Sequence, residues 1–297
     1  MKHIKKIILF LLFTLATLSQ SYASTIFIDS ESLHKKINNA DLVLIDMSDD
    51  TQYQRFHLPG ALYLPYRAIN QRNKQKVSVS IGSENITKLL SFMGITEKSD
   101  IVIYDDMAGL HASRLYWELE RLGHKKVAIL NGGIVSWVLK NYKVTNKIVN
   151  PVKSTYKPSK SASVTLASLS DVTAASKNSN VILLDVRSKE EYFGNPKNPR
   201  SGHVPGARWW PWQQAVDFEN GFTQKKSSEI LKSLQTVGVT DKNAEIIVYC
   251  QSGHRAGQTY MTLRNLGFKK VRLYDGSMAE YSASRTAPLV KGAKPNN

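Results

Sequence analysis

The chain repeats its own pattern once, and this repeat constrains the fold more than any other feature. Val43-Leu44-Ile45-Asp46 returns as Ile182-Leu183-Leu184-Asp185. Phe56-His57-Leu58-Pro59-Gly60-Ala61 returns as Gly202-His203-Val204-Pro205-Gly206-Ala207. Ile101-Val102-Ile103-Tyr104 matches Ile246-Ile247-Val248-Tyr249, and Leu122-Gly123-His124-Lys125-Lys126-Val127 matches Leu266-Gly267-Phe268-Lys269-Lys270-Val271. Asn131-Gly132-Gly133 matches Asp275-Gly276-Ser277. The matches keep one order at offsets of 139, 146, 145, 144 and 144, which means a duplicated domain. A period this long is not that of a solenoid. The length of 297 residues suits two domains of ordinary size.

Each half reads as α/β. The short β-branched runs 42–45, 101–103, 181–184 and 246–248 have the length and composition of buried parallel strands. Between them lie helical patterns. The segment 112–122 places Leu115, Leu119 and Leu122 on one stripe, and 256–266 does the same with Tyr260, Leu263 and Leu266, with Gly267 as the stop. A segment rich in Lys, Ser and Thr, 142–163, carries Pro151 and Pro158 and reads as a linker. The domains are therefore expected at 24–141 and 164–297.

Residues 1–23 are expected to be a secretory signal peptide. Lys2, Lys5 and Lys6 precede an apolar run of 12 residues, 7–18, and Ser21-Tyr22-Ala23 offers a small-residue cleavage site. The run is shorter than the roughly 20 residues that a bilayer span needs, which argues against an uncleaved anchor. Nothing later in the sequence approaches that length. Export to the periplasm follows. Cleavage would remove three lysines and no acids, lowering the formal charge from +16 to +13. In an exported protein this charge suits a small anionic substrate, or an anionic membrane surface, better than nucleic acid. The stretch between Glu120 and Asp171 holds nine Lys or Arg and no acid, and much of it reads as a solvated tether.

The one cysteine, Cys250, rules out an internal disulfide and any Cys-rich zinc or iron–sulfur site. It follows a strand, and Gln251-Ser252-Gly253-His254-Arg255 leads from it into a helix. Parallel α/β sheets bind ligands at the carboxyl ends of their strands. A tight loop of backbone N–H groups capped by a helix N-terminus makes an anion nest. Gly253 lets the loop curl, and Arg255 adds a positive charge. A thiol placed there favours its thiolate, the form that acts as nucleophile.

The Cys-x-x-Gly loop after an apolar strand and the repeated His-Leu/Val-Pro-Gly-Ala element together resemble the rhodanese superfamily, specifically its two-domain sulfurtransferases. The resemblance spans roughly residues 42–281. It implies tandem rhodanese-like domains, each a central parallel sheet flanked by helices. It implies a silent first half, because Asp105 stands where Cys250 stands and a carboxylate cannot hold a persulfide. It implies that Arg187 contacts the anionic substrate. Only four residues separate Cys250 from Arg255, one fewer than in the related dual-specificity phosphatases, which favours sulfur chemistry over phosphate chemistry.

The implied reaction moves the outer sulfur of thiosulfate onto Cys250 and then to an external thiol or cyanide, with no metal or organic cofactor. The alternatives are 3-mercaptopyruvate as donor, suggested by Ser252-Gly253, and a sulfane-sulfur carrier with little small-molecule turnover. The expected substrate-binding residues are Arg187, Gln251, Ser252, Gly253, His254 and Arg255. His57 and His203 recur in both halves and read as structural. Trp209-Trp210-Pro211-Trp212 reads as core and interface packing.

Overall fold

The computed structural model describes residues 26–159 and 164–296. The expected leader and the last residues of the linker, 160–163, lie outside the described residues. The first half contains β1 (Phe27–Ile28), α1 (Ser30–Lys36), β2 (Leu42–Asp46), α2 (Asp50–Arg55), β3 (Leu62–Tyr63), β4 (Asn70–Arg72) and β5 (Ser78–Ser80). These are followed by α3 (Ser83–Phe92), β6 (Asp100–Tyr104), α4 (Leu110–Arg121), β7 (Val127–Leu130) and α5 (Gly133–Leu139). The second half begins with β8 (Leu166–Ala167), α6 (Leu169–Ala175), β9 (Val181–Asp185), α7 (Lys189–Phe193), β10 (Arg208–Trp209), β11 (Val216–Asp217) and β12 (Thr223–Gln224). It ends with α8 (Ser227–Thr236), β13 (Glu245–Tyr249), α9 (His254–Asn265), β14 (Lys270–Tyr274) and α10 (Ser277–Tyr281).

The strand order is β1-β7-β6-β2-β3 in one sheet and β8-β14-β13-β9-β10 in the other, the same topology twice. All main-sheet pairs are parallel. Four of the six inner strands, which also include β7 and β14, are those read from the sequence: β2, β6, β9 and β13. Their side chains alternate between two apolar layers. Ile45, Ile101 and Ile103 pack with Leu115 and Leu119 of α4, while Leu44 and Val102 pack with Leu33 of α1 and Trp137 of α5. Helices thus cover both faces, as continuous apolar runs require.

The recurring histidines hold turns. His57 faces the Tyr53 carbonyl at 2.7 Å and the Lys147 carbonyl at 3.1 Å, and it stacks on Tyr53. His203 repeats this with Tyr192 and Lys294, at 2.8 and 3.1 Å. Both rings are fully buried. The linker differs from a solvated tether. Thr145 bridges His57 as Val290 bridges His203, so the stretch after α5 closes the first domain as the C-terminal stretch closes the second. Tyr156 is buried in the first core, and its backbone N–H donates to Ser91 Oγ. The lysines suggested solvent, but one aromatic and the backbone pairing decide the packing.

The two halves interlock through α4 and α9. Trp117 of α4 is buried in the core of the second half, and Met261 of α9 in the core of the first. The face of α4 opposite its leucine stripe is therefore buried too, including Ser113, Arg114 and Glu118. Each half also lends an antiparallel hairpin, β4–β5 or β11–β12, to the other. Ser80 N–H donates to Asp275 Oδ2 at 2.7 Å, and Gln224 N–H donates to Asn131 Oδ1 at 2.8 Å. Among the described residues no helix is long and apolar enough to cross a membrane.

Candidate active site

Strand β13 delivers Cys250 to the carboxyl edge of the sheet, and α9 starts at His254. Between them the chain turns through Gly253 at φ +77°, a left-handed conformation that disfavours a side chain. A Cβ at Gly253 would also lie 2.8 Å from both the carbonyl and a carboxylate oxygen of Asp275. The loop is pinned from the far side by Ser277, whose Oγ accepts from Cys250 N–H at 3.1 Å and Gly253 N–H at 3.0 Å and donates to the Tyr274 carbonyl at 2.8 Å. Ser277 holds φ +48°, where its counterpart Gly133 holds φ +55°. Two further bonds, Met278 N–H to the Cys250 carbonyl and Ala279 N–H to that of Gln251, fix the start of the loop. The Cys250 side chain is buried. The N–H groups of His254, Arg255 and Ala256 open α9 and have no intrahelical acceptor.

The first half shows what such a loop holds. Gly109, also left-handed, opens α4 as Gly253 opens α9. The Asp105 carboxylate accepts N–H bonds from Met107, Gly109, His111 and Ala112 at 2.8–2.9 Å. Asp105 stands where Cys250 stands, and its carboxylate fills the cradle of the first half with an anion of the chain's own.

The six loop and strand-end residues expected to bind substrate are placed as follows. Gln251 is exposed, and Ser252 and Gly253 form the turn. Arg255 forms a bidentate pair with Glu191 of α7, at 2.6 and 2.8 Å. Burial works against the Glu191 charge, but Arg255 and the Ser188 N–H outweigh it and hold its pKa down to about 2. Arg187 is buried and committed to Asp185, at 2.6–3.2 Å, and to the Gly202 carbonyl at 2.8 Å. With Gln251 and Arg200 it lines a cavity of about 390 Å³ beside the loop. Arg200 itself ties four carbonyls of the C-terminal segment, those of Tyr281, Ser282, Ser284 and Ala287. Trp210 is core, while Trp209 donates its ring N–H to the Arg187 carbonyl.

His254 reaches across to the first half. Its ring lies 4.9 Å from that of His111 and 4.6 Å from that of Tyr66, and Tyr66 stacks on His111 at 4.6 Å. Burial, with the nearby His111, Arg114 and Arg255, pushes the His254 pKa down to about 3, so the ring is neutral. Burial likewise pushes Tyr66 up to about 12. Sequence reasoning missed Tyr66, His111, Arg114, Glu191 and Ser277. The repeat carried a signal for two of them. Gly133 changes to Ser277, and Arg114 aligns with Gln258, differences between halves that are otherwise alike.

Comparison with known proteins agrees with the duplicated fold. The Rhodanese-like domain family matches residues 29–140 and 168–284. The chain belongs to the rhodanese family, as a two-domain sulfurtransferase. A Mycobacterium bovis protein provisionally named a thiosulfate sulfurtransferase is 30% identical over 279 residues, covering 90% of this chain and 98% of that one. An Azotobacter vinelandii thiosulfate sulfurtransferase is 26% identical over 271 residues, covering 88% of this chain and 96% of the relative. Among solved structures, wild-type EanB superposes with a TM-score of 0.81 at 20% identity, over 91% of this chain and 70% of that one. An anaerobic ergothioneine biosynthesis enzyme from Chlorobium limicola, bound to trimethyl histidine, gives 0.80 at 20% identity, over 91% and 71%. At that identity these two structures speak for the fold alone.

Proposed function

We propose that the protein moves a sulfane sulfur from thiosulfate to an external thiol through a persulfide on Cys250. One observation carries the reading. Two loops end equivalent strands and lead through a left-handed glycine into equivalent helices, and the one without a cysteine holds a carboxylate on four backbone N–H groups. In the first step the Cys250 thiolate attacks the outer sulfur of thiosulfate. The S–S bond of the donor breaks, sulfite leaves with the electron pair, and the outer sulfur stays on Cys250. In the second step an acceptor thiolate, or cyanide in an assay, attacks that sulfur and Cys250 regains its thiolate. This is covalent catalysis in two half-reactions, with ping-pong kinetics. The first-turn N–H groups of α9 hold the negative terminal sulfur as their counterparts hold Asp105.

The open N–H groups at the start of α9 and the thiosulfate named in two similar proteins support thiosulfate as donor. With Cys250 the only thiol of the chain, the acceptor comes from outside it. The leader expected at 1–23 supports a periplasmic setting for the reaction. Intact mass spectrometry after incubation with thiosulfate, beside Cys250→Ser, tests the reading. A gain of one sulfur by the wild-type chain alone, released by cyanide, is the expected result. No gain from thiosulfate but gain from 3-mercaptopyruvate would change the donor. No gain from either would leave a carrier loaded by another protein.

A further inference from the structure

The interlocking of the halves is symmetric in position and asymmetric in charge. Asn131 and Asp275, Ser80 and Gln224, and Arg114 and Gln258 are three pairs of equivalents, each 144 residues apart. At the Asp105 end the equivalents are neutral. Gln224 N–H meets Asn131, and Gln258 is buried with both amide atoms unpaired among the described residues. At the Cys250 end they are charged. Ser80 N–H meets Asp275, and Arg114 Nη2 pairs with Asp275 Oδ1 at 2.7 Å.

Arg114 has no exposure, and its Nε and Nη1 have no hydrogen-bond partner among the described residues. A buried cation with open donors is expensive unless something anionic comes to it. Its position is behind the Cys250 loop. Gly257, on the first turns of α9, leaves room for it, since a Cβ there would lie 3.1 Å from Arg114 Cδ. Asp275, its partner, packs directly on Gly253. Burial opposes the Arg114 charge, but Asp275, Tyr66, Glu118 and Cys250 together raise its pKa.

We infer that Arg114, contributed by the half without a cysteine, is a residue of the Cys250 site whose charge draws an anionic donor to the thiol, with Asp275 as the counter-ion that tempers it. The anionic donor is taken from the proposed function; the charge asymmetry is not. Chemistry needs the positive residue only where Cys250 stands, and among these three pairs of equivalents the charged members lie only there.

The test compares the rates at which iodoacetate and iodoacetamide alkylate Cys250, followed by intact mass at one pH. The thiolate fraction cancels in the ratio of the two rates, so the ratio reads the potential at the thiol. Arg114→Gln should lower the ratio about threefold or more, and Asp275→Asn should raise it by a similar factor. Arg114→Lys should stay near wild type. A merely structural contact would loosen the loop in both variants and move the ratio the same way in each, or not at all. Either of those results overturns the inference. Should Arg114→Gln fail to fold, the Asp275→Asn arm stands by itself, and a ratio that does not rise overturns it. No sulfur donor is used, so ratios that move as expected beside a chain that takes no sulfur from thiosulfate would sustain the role of Arg114 and overturn only the donor.

Discussion

At the scale of single residues, the site depends on one conformation and one hydroxyl. Gly253→Ala must strain the left-handed turn and push into the Asp275 carbonyl, which is backbone and cannot swing away. The expected cost is about 1–3 kcal/mol of stability, with loss of sulfur transfer from the molecules that remain folded. Urea titration and a thiosulfate assay on the same preparation check both parts. His254 gives a pH signature. Its pKa is about 3 in the fold and about 6.5 in the unfolded chain, so below pH 6.5 the unfolded state binds a proton that the native state refuses. Stability attributable to this group is full above pH 6.5 and falls as pH drops toward 3, by up to about 1.4 kcal/mol per unit. His254→Phe should keep the stack and flatten the fall in urea midpoint between pH 6 and 4.5. An acid slope identical to wild type would remove the buried neutral imidazole from the account. Cys250 was legible because strand, glycine loop and helix follow one another in the chain. The carbonyl that Arg187 reaches and the carboxylate that Arg255 pairs with were not, because Gly202 and Glu191 come from other segments and such contacts leave no mark in local pattern.

At the scale of elements, the central strands were legible because burial on both faces makes them unbroken apolar runs. The edge strands β1, β3, β8 and β10 have two residues each, too few to show a period. The helix α4 was legible only in part, since its second apolar face answers to α9, which no local pattern reveals. The loop before α4 was read as silent for want of a thiol, and the structure adds that it is filled. Asp105→Ala would strip four N–H groups of their acceptor in a buried place. A loss of about 2–4 kcal/mol is expected, with the chemistry at Cys250 unchanged in the folded fraction. A variant as stable as wild type would mean that water serves these donors equally well. The result would also weaken the parallel between the two loops, on which the persulfide cradle rests.

At the scale of the whole molecule, the repeat announces two domains and says nothing of how they are joined. The exchange of Trp117 and Met261 and of the two hairpins makes each core incomplete without the other half. Trp117 is fully buried among residues of the second half, with its ring N–H on the Thr165 carbonyl at 3.2 Å. Two linked but independent domains would unfold in two steps, and a change in α4 would touch only the first. The interlock predicts the opposite. Trp117→Ala should cost about 3–5 kcal/mol, as removal of a buried indole does. It should lower the unfolding midpoint of both halves together, in one cooperative transition. With Trp137 of the first half replaced by Phe in both proteins, tryptophan fluorescence reports the second half through Trp209, Trp210 and Trp212, and hydrogen exchange along β2 and β6 reports the first. Coincident shifts in the two signals would establish that the halves fold as one body. A shift confined to the first half would return the second to independence, and with it the expectation that Cys250 could work without the residues that the first half lends it.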